Sequence, residues 1–329
     1  MTPLEKVLAG EIRRHGPVPF RRFMEVALYH AQYGYYRRPR DPFGKQGDFF
    51  TAEQIQPVFG ILMAARIRQL YREMGEPREF TVVELGAGRR EMAEAFSEWP
   101  YIPVDADSGE LPEKFQGVVF SNEFFDALPV DVAVCQDGAF LEQCVAFEEG
   151  RFHWQTGGAA RADVDHYLRR YFPPPEEGYW YEANCDALRW MERIGRALEA
   201  GYVLTIDYGY TRAEAVRFPA GTLMAYRGHA AREDVLEDPG GQDITSHVNF
   251  TALEESGAAH GLATERFETL AQTLLAAGEA DQFAAALGDG GLRRRMQLKT
   301  LLFGMGETFR VLLQRREQQG RTGGNRLQQ

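Results

Sequence analysis

Cysteine is scarce in this chain: Cys135, Cys144 and Cys185 are the only ones in 329 residues, and their spacing is neither paired nor metal-ligating. That argues against a disulfide framework, and seven histidines without a cluster give no reason to expect a metal. Long apolar runs are missing too. None approaches the roughly 18 residues that cross a bilayer, and the start, MTPLEKVLAGEIRRHG, lacks the apolar centre of a signal peptide. Cytoplasmic residence without membrane insertion is the resulting expectation. Positive charge is in short supply: 37 Lys and Arg against 48 Asp and Glu leave a net −11, which argues against nucleic acid as a partner. The exception is local. From Arg293 onward nine Lys or Arg face two Glu, a +7 that fits either a basic surface helix and tail or contact with an acidic partner.

What is present is ordinary for a folded protein, with 44% hydrophobic, 12% aromatic and 26% charged residues. Thr2-Pro3-Leu4-Glu5 has the form of a capping box, so a helix is expected to run to about His15 and stop at Gly16-Pro17. PFRRFMEVALYH reads as a second helix and the stretch from about Ala52 to Met74 as a third, an all-helical entry of about 75 residues. Between them YGYYRRPRDPFGKQGDFFTAEQI is too rich in Gly and Pro for a regular element, the mark of a functional or mobile loop. From Phe80 the pattern changes to strand-length apolar runs, FTVVEL, YIPVD, GVVFS and YVLTIDYG, separated by helical stretches: an α/β protein with a parallel, Rossmann-like sheet. Val130 to Gln155 alternates around QDGA and EEGR as antiparallel hairpins do. Helices are expected over FTALEESGAAHG and from about Leu270 to Phe303, with a last strand in TFRVLLQR. The expected domains are a helical region and lid over 1–75, a core over 76–313 with an antiparallel β and helical cap inserted at about 130–180, and a disordered basic tail over 314–329.

TVVELGAGRR is a strand running into Gly86-Ala87-Gly88 and then, by expectation, a helix, an arrangement that lets backbone approach a ligand closely. The third glycine of a dinucleotide fingerprint would fall at Glu91, so that motif is not met. Glu84 stands at the strand tip, and Asp105 follows 21 residues later at the end of YIPVD, the spacing of a ribose-binding acid, with Asp107 as the alternative register. S-adenosylmethionine suits this set better than a dinucleotide, because Glu84 can receive its ammonium group and no phosphate cradle is needed. A glycine turn without ligand and a solvated acidic loop remain the competing readings. Downstream, GVVF is followed by SNEFFDALP, which places Asn122, Glu123 and Asp126 at another strand tip. Buried carboxylates need partners, so these acids either start a helix or hold something cationic.

GDFFTAEQIQPVFG, VELGAGR, SNEFFDALPVD, IDYGY, GTLMAYRGH and DITSHVNFTAL occur in the order seen in the MidA family, which the chain resembles from about Tyr33 to Leu313. Mitochondrial members of that family are arginine methyltransferases that help assemble respiratory complex I. The resemblance implies a class I methyltransferase fold, S-adenosylmethionine as cofactor, and methyl transfer to an arginine of a protein partner, a core complex I subunit in mitochondria, giving symmetric dimethylarginine. It places Asn122, Glu123 and Asp126 where the acceptor nitrogen arrives, with Phe124 and Phe125 walling the site or packing in the core. Gly47, Asp48, Phe49 and Thr51 would form a lid over the cofactor, and Glu182, Asp207, Asp243, Thr245 and His247 would border the acceptor, although strand-tip capping or structural hydrogen bonding would also explain them. Departures are Arg90, where the family has a glycine, Glu53-Gln54 for its Pro-Glu pair, and a short stretch from Asp105 to Val118, which suggests a reduced sheet edge. An oxidoreductase-type nucleotide binder and a binding-only assembly factor are the rival classes.

Overall fold

Val82 and Val83, Val118 and Val119, and Val203 and Leu204 are neighbours on strands, so their side chains point to opposite faces, and all six are buried. Strands of that kind need cover on both sides. The computed structural model, which describes residues 1–37, 56–105, 108–227 and 230–318, supplies it. Its helices are α1 (Pro3–His15), α2 (Phe20–Tyr29), α3 (Val58–Glu73), α4 (Ala162–Tyr171), α5 (Cys185–Ala197), α6 (Phe250–Ala259), α7 (Leu270–Glu279), α8 (Ala284–Leu287) and α9 (Gly291–Thr300). Its strands are β1 (Val18–Pro19), β2 (Thr81–Leu85), β3 (Tyr101–Val104), β4 (Phe115–Asn122), β5 (Asp131–Gln136), β6 (Ala139–Glu148), β7 (Arg151–Ala159), β8 (Trp180–Ala183), β9 (Leu198–Tyr210), β10 (Met224–Arg227), β11 (Ala230–Arg232), β12 (Asp243–Thr245), β13 (Val248–Asn249), β14 (Ala263–Thr269) and β15 (Phe309–Arg316).

The main sheet has the order β14-β15-β9-β4-β2-β3, with β13 added beside β9. Pairing is parallel from β3 through β2 and β4 to β9, and antiparallel at β15 and β14. α3 and α7 bury one face with Val82, Val118, Phe120 and Leu204, while α5 and α6 bury the other with Val83, Val119 and Val203. Because β2, β4 and β9 all point the same way, Glu84, Glu123 and Asp207 emerge along one edge. A second, antiparallel sheet runs β1-β6-β5-β8 with β7 beside β6, and a three-stranded one runs β11-β10-β12. α1 and α2 share a core with these smaller sheets through Leu8, Phe20, Phe23, Val132, Val145 and Ile244, whereas α3 belongs to the main sheet.

The capping box at Thr2 forms, with the Thr2 hydroxyl accepting from Glu5 N–H and the Glu5 carboxylate accepting from Thr2 N–H, and Gly16 ends the helix at φ 84°. Several expectations are corrected. The helical entry contains β1, which pairs with β6. Residues 89–98 after the glycine turn run as successive turns instead of a helix. The expected helix over 270–303 is broken into α7, α8 and α9, with glycines at 288 and 290 between the last two and Gly291 opening α9. β15 continues to Arg316, so the first three residues expected as tail are paired with β9. Between β3 and β4 the described residues form only an isolated bridge, Asp105 to Ser108, in line with the shortened edge. Thr51, Gly47, Asp48, Phe49 and Asp107 lie outside the described residues.

Candidate active site

Two groups of side chains gather along the carboxyl edge of the main sheet. The first surrounds the glycine turn. Gly86 takes φ 70° and Gly88 φ 48°, in the left-handed region that side-chain-bearing residues avoid. Arg90, three positions beyond Ala87, nevertheless takes φ 61°. The N–H groups of Gly86 and Ala87 both donate to Val104 O, at 2.9 and 3.3 Å, tying the turn to the end of β3. Gly88 N–H donates to Asp105 Oδ2 at 2.7 Å, which brings the two motifs read separately in the sequence together. A Cβ on Gly86 would stand 3.0 Å from Phe124 Cδ2. Glu84 is buried and accepts a hydrogen bond from the Tyr101 hydroxyl; burial pushes its carboxyl up to about 7, with the Tyr101 bond opposing. A narrow backbone cradle and a buried acid beside it are what an adenosyl ligand with an ammonium group requires, so the residues fit S-adenosylmethionine.

The second group is a nest of carboxylates. Glu123 follows β4 with φ 51°, a strained conformation for a non-glycine residue, and its N–H donates to Ile206 O at 3.0 Å. Asn122 Nδ2 donates to Glu123 Oε1 at 3.3 Å. Asp207, fully buried at the end of β9, accepts from the N–H groups of Phe125 and Asp126 on one oxygen, at 3.1 and 3.4 Å, and from Tyr208 N–H on the other at 2.9 Å. It therefore pins the turn that carries Glu123 and Asp126. Asp243, on β12, accepts from the Tyr36 hydroxyl at 3.0 and 3.1 Å. Burial drives Asp126 up to about 6 and raises Asp207 and Asp243 well above the carboxylate range, Asp126 adding to both shifts. Among the described residues none of these three is ion-paired with Lys or Arg. Among the described residues buried Asp126 Oδ1 and Asn122 Oδ1 have no hydrogen-bond partner, while a bond from Tyr208 to the Asp126 carboxyl opposes its rise. The net effect is a buried cluster of acids with no paired Lys or Arg among the described residues and with acceptors to spare.

Glu123 also borders a cavity of about 550 Å³ whose walls include Tyr208, Tyr210, Phe218, Tyr226 and His247. His247 makes edge-to-face contacts with Tyr208 and Phe218 at 5.1 and 5.3 Å, and burial lowers its imidazole to about 4, so it is neutral at pH 7. Its buried Nδ1 has no hydrogen-bond partner among the described residues.

Other sequence candidates sit elsewhere. Phe125 is fully buried under the sheet, so its ring packs in the core. Phe124 contacts Phe125 and Trp190 edge-on and lies against Gly86, on the cofactor side. Glu182 takes hydrogen bonds from the N–H and hydroxyl of Thr222, at 2.7 and 3.3 Å, and burial raises it to about 7; Thr222 Oγ1 in turn accepts from His247 N–H at 3.0 Å. Glu182 thus shapes the wall behind His247 and is not part of the acid nest. Sequence reasoning missed the tyrosines: Tyr101 on Glu84, Tyr36 on Asp243, Tyr29, whose hydroxyl donates to Ala127 O at 2.9 Å, and Tyr208 and Tyr226 on the cavity. Tyr208 and Tyr226 stand inside the quoted IDYGY and GTLMAYRGH; the adjacent strand-tip Asp207 was the available signal for Tyr208, and Tyr226 has no acid beside it.

A parallel sheet ending in a glycine cradle, a buried acid and a ribose-spaced Asp defines a nucleoside-binding α/β enzyme of the methyltransferase type. Residues 96–268 match the family described as S-adenosyl-L-methionine-dependent methyltransferases, and the chain belongs to it. Along 317 residues it is 34% identical to the Homo sapiens protein named protein arginine methyltransferase NDUFAF7, mitochondrial, covering 77% of this chain and 68% of that one. The Drosophila melanogaster homolog of the same name is 26% identical, covering 78% and 70%. A crystal structure of a COG1565 superfamily member from Burkholderia thailandensis bound to S-adenosyl-homocysteine superposes with a TM-score of 0.86 at 29% identity, covering 96% of this chain and 92% of that one. The chain is accordingly an S-adenosylmethionine-dependent methyltransferase, and the two rival classes are not favoured. The expectation of cytoplasmic residence is overturned, since these curated relatives are named as mitochondrial proteins. No helix among the described residues is long and apolar enough to cross a membrane.

Proposed function

We propose that the chain methylates an arginine guanidinium presented by a protein, and that Glu123, Asp126 and Asn122 receive it. The observation that carries this reading is the buried acid nest: among the described residues Asp126, Asp207 and Asp243 are paired with no Lys or Arg, and Glu123, which accepts from Asn122 Nδ2, borders an aromatic-walled cavity. A guanidinium remains charged, offers donors in a planar fork and stacks on aromatic rings, so it meets each of these needs. The curated relatives named as protein arginine methyltransferases support the same acceptor class.

Glu84, the Gly86–Gly88 turn and Asp105 hold the cofactor, which supplies an electrophilic methyl group when bound. Glu123 grips the guanidinium and draws its positive charge toward the carboxylate, leaving one nitrogen with electron density for attack. The methylated guanidinium is still a monocation, so one proton must leave the attacking nitrogen; Glu123 or Asp126 accepts it and passes it to water. Tyr208, Tyr226 and Phe218 exclude solvent around the arginine stem. The finer identification of the acceptor as a subunit of respiratory complex I rests on the family resemblance. The test is incubation with labelled S-adenosylmethionine and mitochondrial extract, followed by mass spectrometry of labelled proteins. Label on arginine is the expected result; label confined to other side chains or to small molecules overturns the arginine assignment.

A further inference from the structure

Helix α9 has two apolar stripes, and the fold uses only one. Leu298 packs against the main core, Arg294 folds back over Gly288 and Gly290, Gln297 Nε2 donates to Gln56 O at 2.7 Å, and Leu301 just beyond is fully buried. Leu292 and Met296, one helical turn apart, face the other way with 76% and 53% exposure, and Phe303, a further two turns along in the π-turn Leu301–Met305, is 75% exposed. A surface helix normally turns polar side chains to that side. Here the outward stripe is flanked by exposed Arg293, Arg295 and Lys299, none of which is ion-paired among the described residues, on a chain whose net charge is −11. The same segment leads into the acceptor cavity, whose rim includes Met305, Glu307 and Thr308.

We infer that the outward face of α9 and its π-turn is a docking surface for an acidic, leucine-type segment of the methyl-acceptor protein, lying a short distance along the chain from the methylated arginine. This rests on the arginine reading of the cavity. Charge complementarity selects the partner's acids, the exposed apolar stripe selects its aliphatic residues, and continuity with the cavity rim makes the acceptor itself the occupant. The helix from Leu292 to Thr300 rises about 12 Å, the reach of roughly four extended residues. That is the length of the docked segment; the turn from Thr300 to Met305 on the cavity rim adds about 7 Å, so roughly two or three extended residues separate the segment from the arginine.

The test uses the full chain and two labelled synthetic peptides that share one arginine. One carries an extension of alternating Glu and Leu placed as above, and the other carries Gly and Ser there. Fluorescence anisotropy with S-adenosylhomocysteine present should show the acidic peptide binding at least tenfold more tightly. Reversal of the three cations (Arg293→Glu, Arg295→Glu, Lys299→Glu) and, separately, Leu292→Ser with Met296→Ser and Phe303→Ser should each remove that preference while leaving S-adenosylhomocysteine affinity unchanged. Equal binding of the two peptides by the parent overturns the proposal. So does loss, in the same variants, of self-association in sedimentation or of binding to phosphatidylglycerol vesicles without any peptide preference, since the face would then belong to a second copy or to an anionic lipid surface. Because anisotropy needs no turnover, absence of methyl transfer to either peptide despite preferential binding would count against the arginine reading alone.

Discussion

Single side chains carry three separable roles. Glu123→Gln keeps shape and removes the charge that positions a guanidinium, so single-turnover methyl transfer should fall at least 100-fold, about 2.7 kcal/mol, with S-adenosylhomocysteine affinity nearly intact. A rate within threefold of the parent would assign Glu123 to supporting the strained turn, where it has φ 51°. Gly86→Val should abolish S-adenosylhomocysteine binding in calorimetry, because the side chain enters the space against Phe124 and φ 70° disfavours it; binding at parental strength would remove the turn from the cofactor site. Glu84 gives a pH signature. Its carboxyl, raised to about 7 by burial, is neutral below that pH and anionic above it, so attraction for the cofactor ammonium should strengthen as pH rises from 6 to 8. Calorimetry should show S-adenosylhomocysteine binding improve across that window in the parent and stay flat in Glu84→Gln. An equal slope in both would place the ammonium elsewhere.

At the scale of elements, the end of β9 organises the end of β4. Asp207 accepts three backbone N–H groups, two of them from the turn that carries Asp126. In Asp207→Asn one of the two acceptor positions becomes an NH₂ facing a backbone N–H, so the turn or the β9 end loses its buried acceptor. Chemical unfolding should register about 1–3 kcal/mol of lost stability, and amide exchange at Phe125 and Asp126 should accelerate. Unchanged exchange at both amides would mean that the turn holds itself. β14 shows the limit of pattern reading at this scale. ATERFET is mostly exposed, with no buried residue, because it is the outer strand of the sheet and needs cover from one partner only.

Over the whole molecule, buried acids make the ligand-free protein a poor match to neutral pH. Glu84 and Glu182 are raised to about 7, Asp126 to about 6, and Asp207 and Asp243 higher than an ordinary carboxyl. A raised carboxyl contributes stability that is present at low pH and lost as pH passes its folded-state value. His247, lowered to about 4, acts in the opposite sense, but its effect is complete once pH exceeds the ordinary histidine value of about 6.5. Between pH 6.5 and 8 the acids therefore dominate, and Tm of the ligand-free protein should fall across that interval. A flat or rising Tm would indicate that the nest is already neutralised. S-adenosylhomocysteine should reduce the fall, because it supplies a cation at Glu84.

The order of elements was legible because local chemistry specifies it: Thr2 and Glu5 cap α1, continuous apolar runs become β2, β4 and β9, and QDGA and EEGR turn the hairpins. Glu84, Gly86, Asp105 and Glu123 were legible as candidates because strand-tip acids and glycine turns are local features. Their assembly was not. Only the parallel register of β2, β4 and β9 brings those tips to one edge, and only the fold shows Phe125 buried and Glu182 spent on Thr222. The tyrosines illustrate the reason. Tyr36 reaches Asp243 across 207 residues and Tyr29 reaches Ala127 across 98, and no window of sequence contains both partners of such a bond. Composition and local pattern set which elements form, because caps, turns and side-chain alternation act over a few residues; the acid nest, built from contacts between distant strands and closed by Tyr36 from the N-terminal region, was decided by tertiary packing.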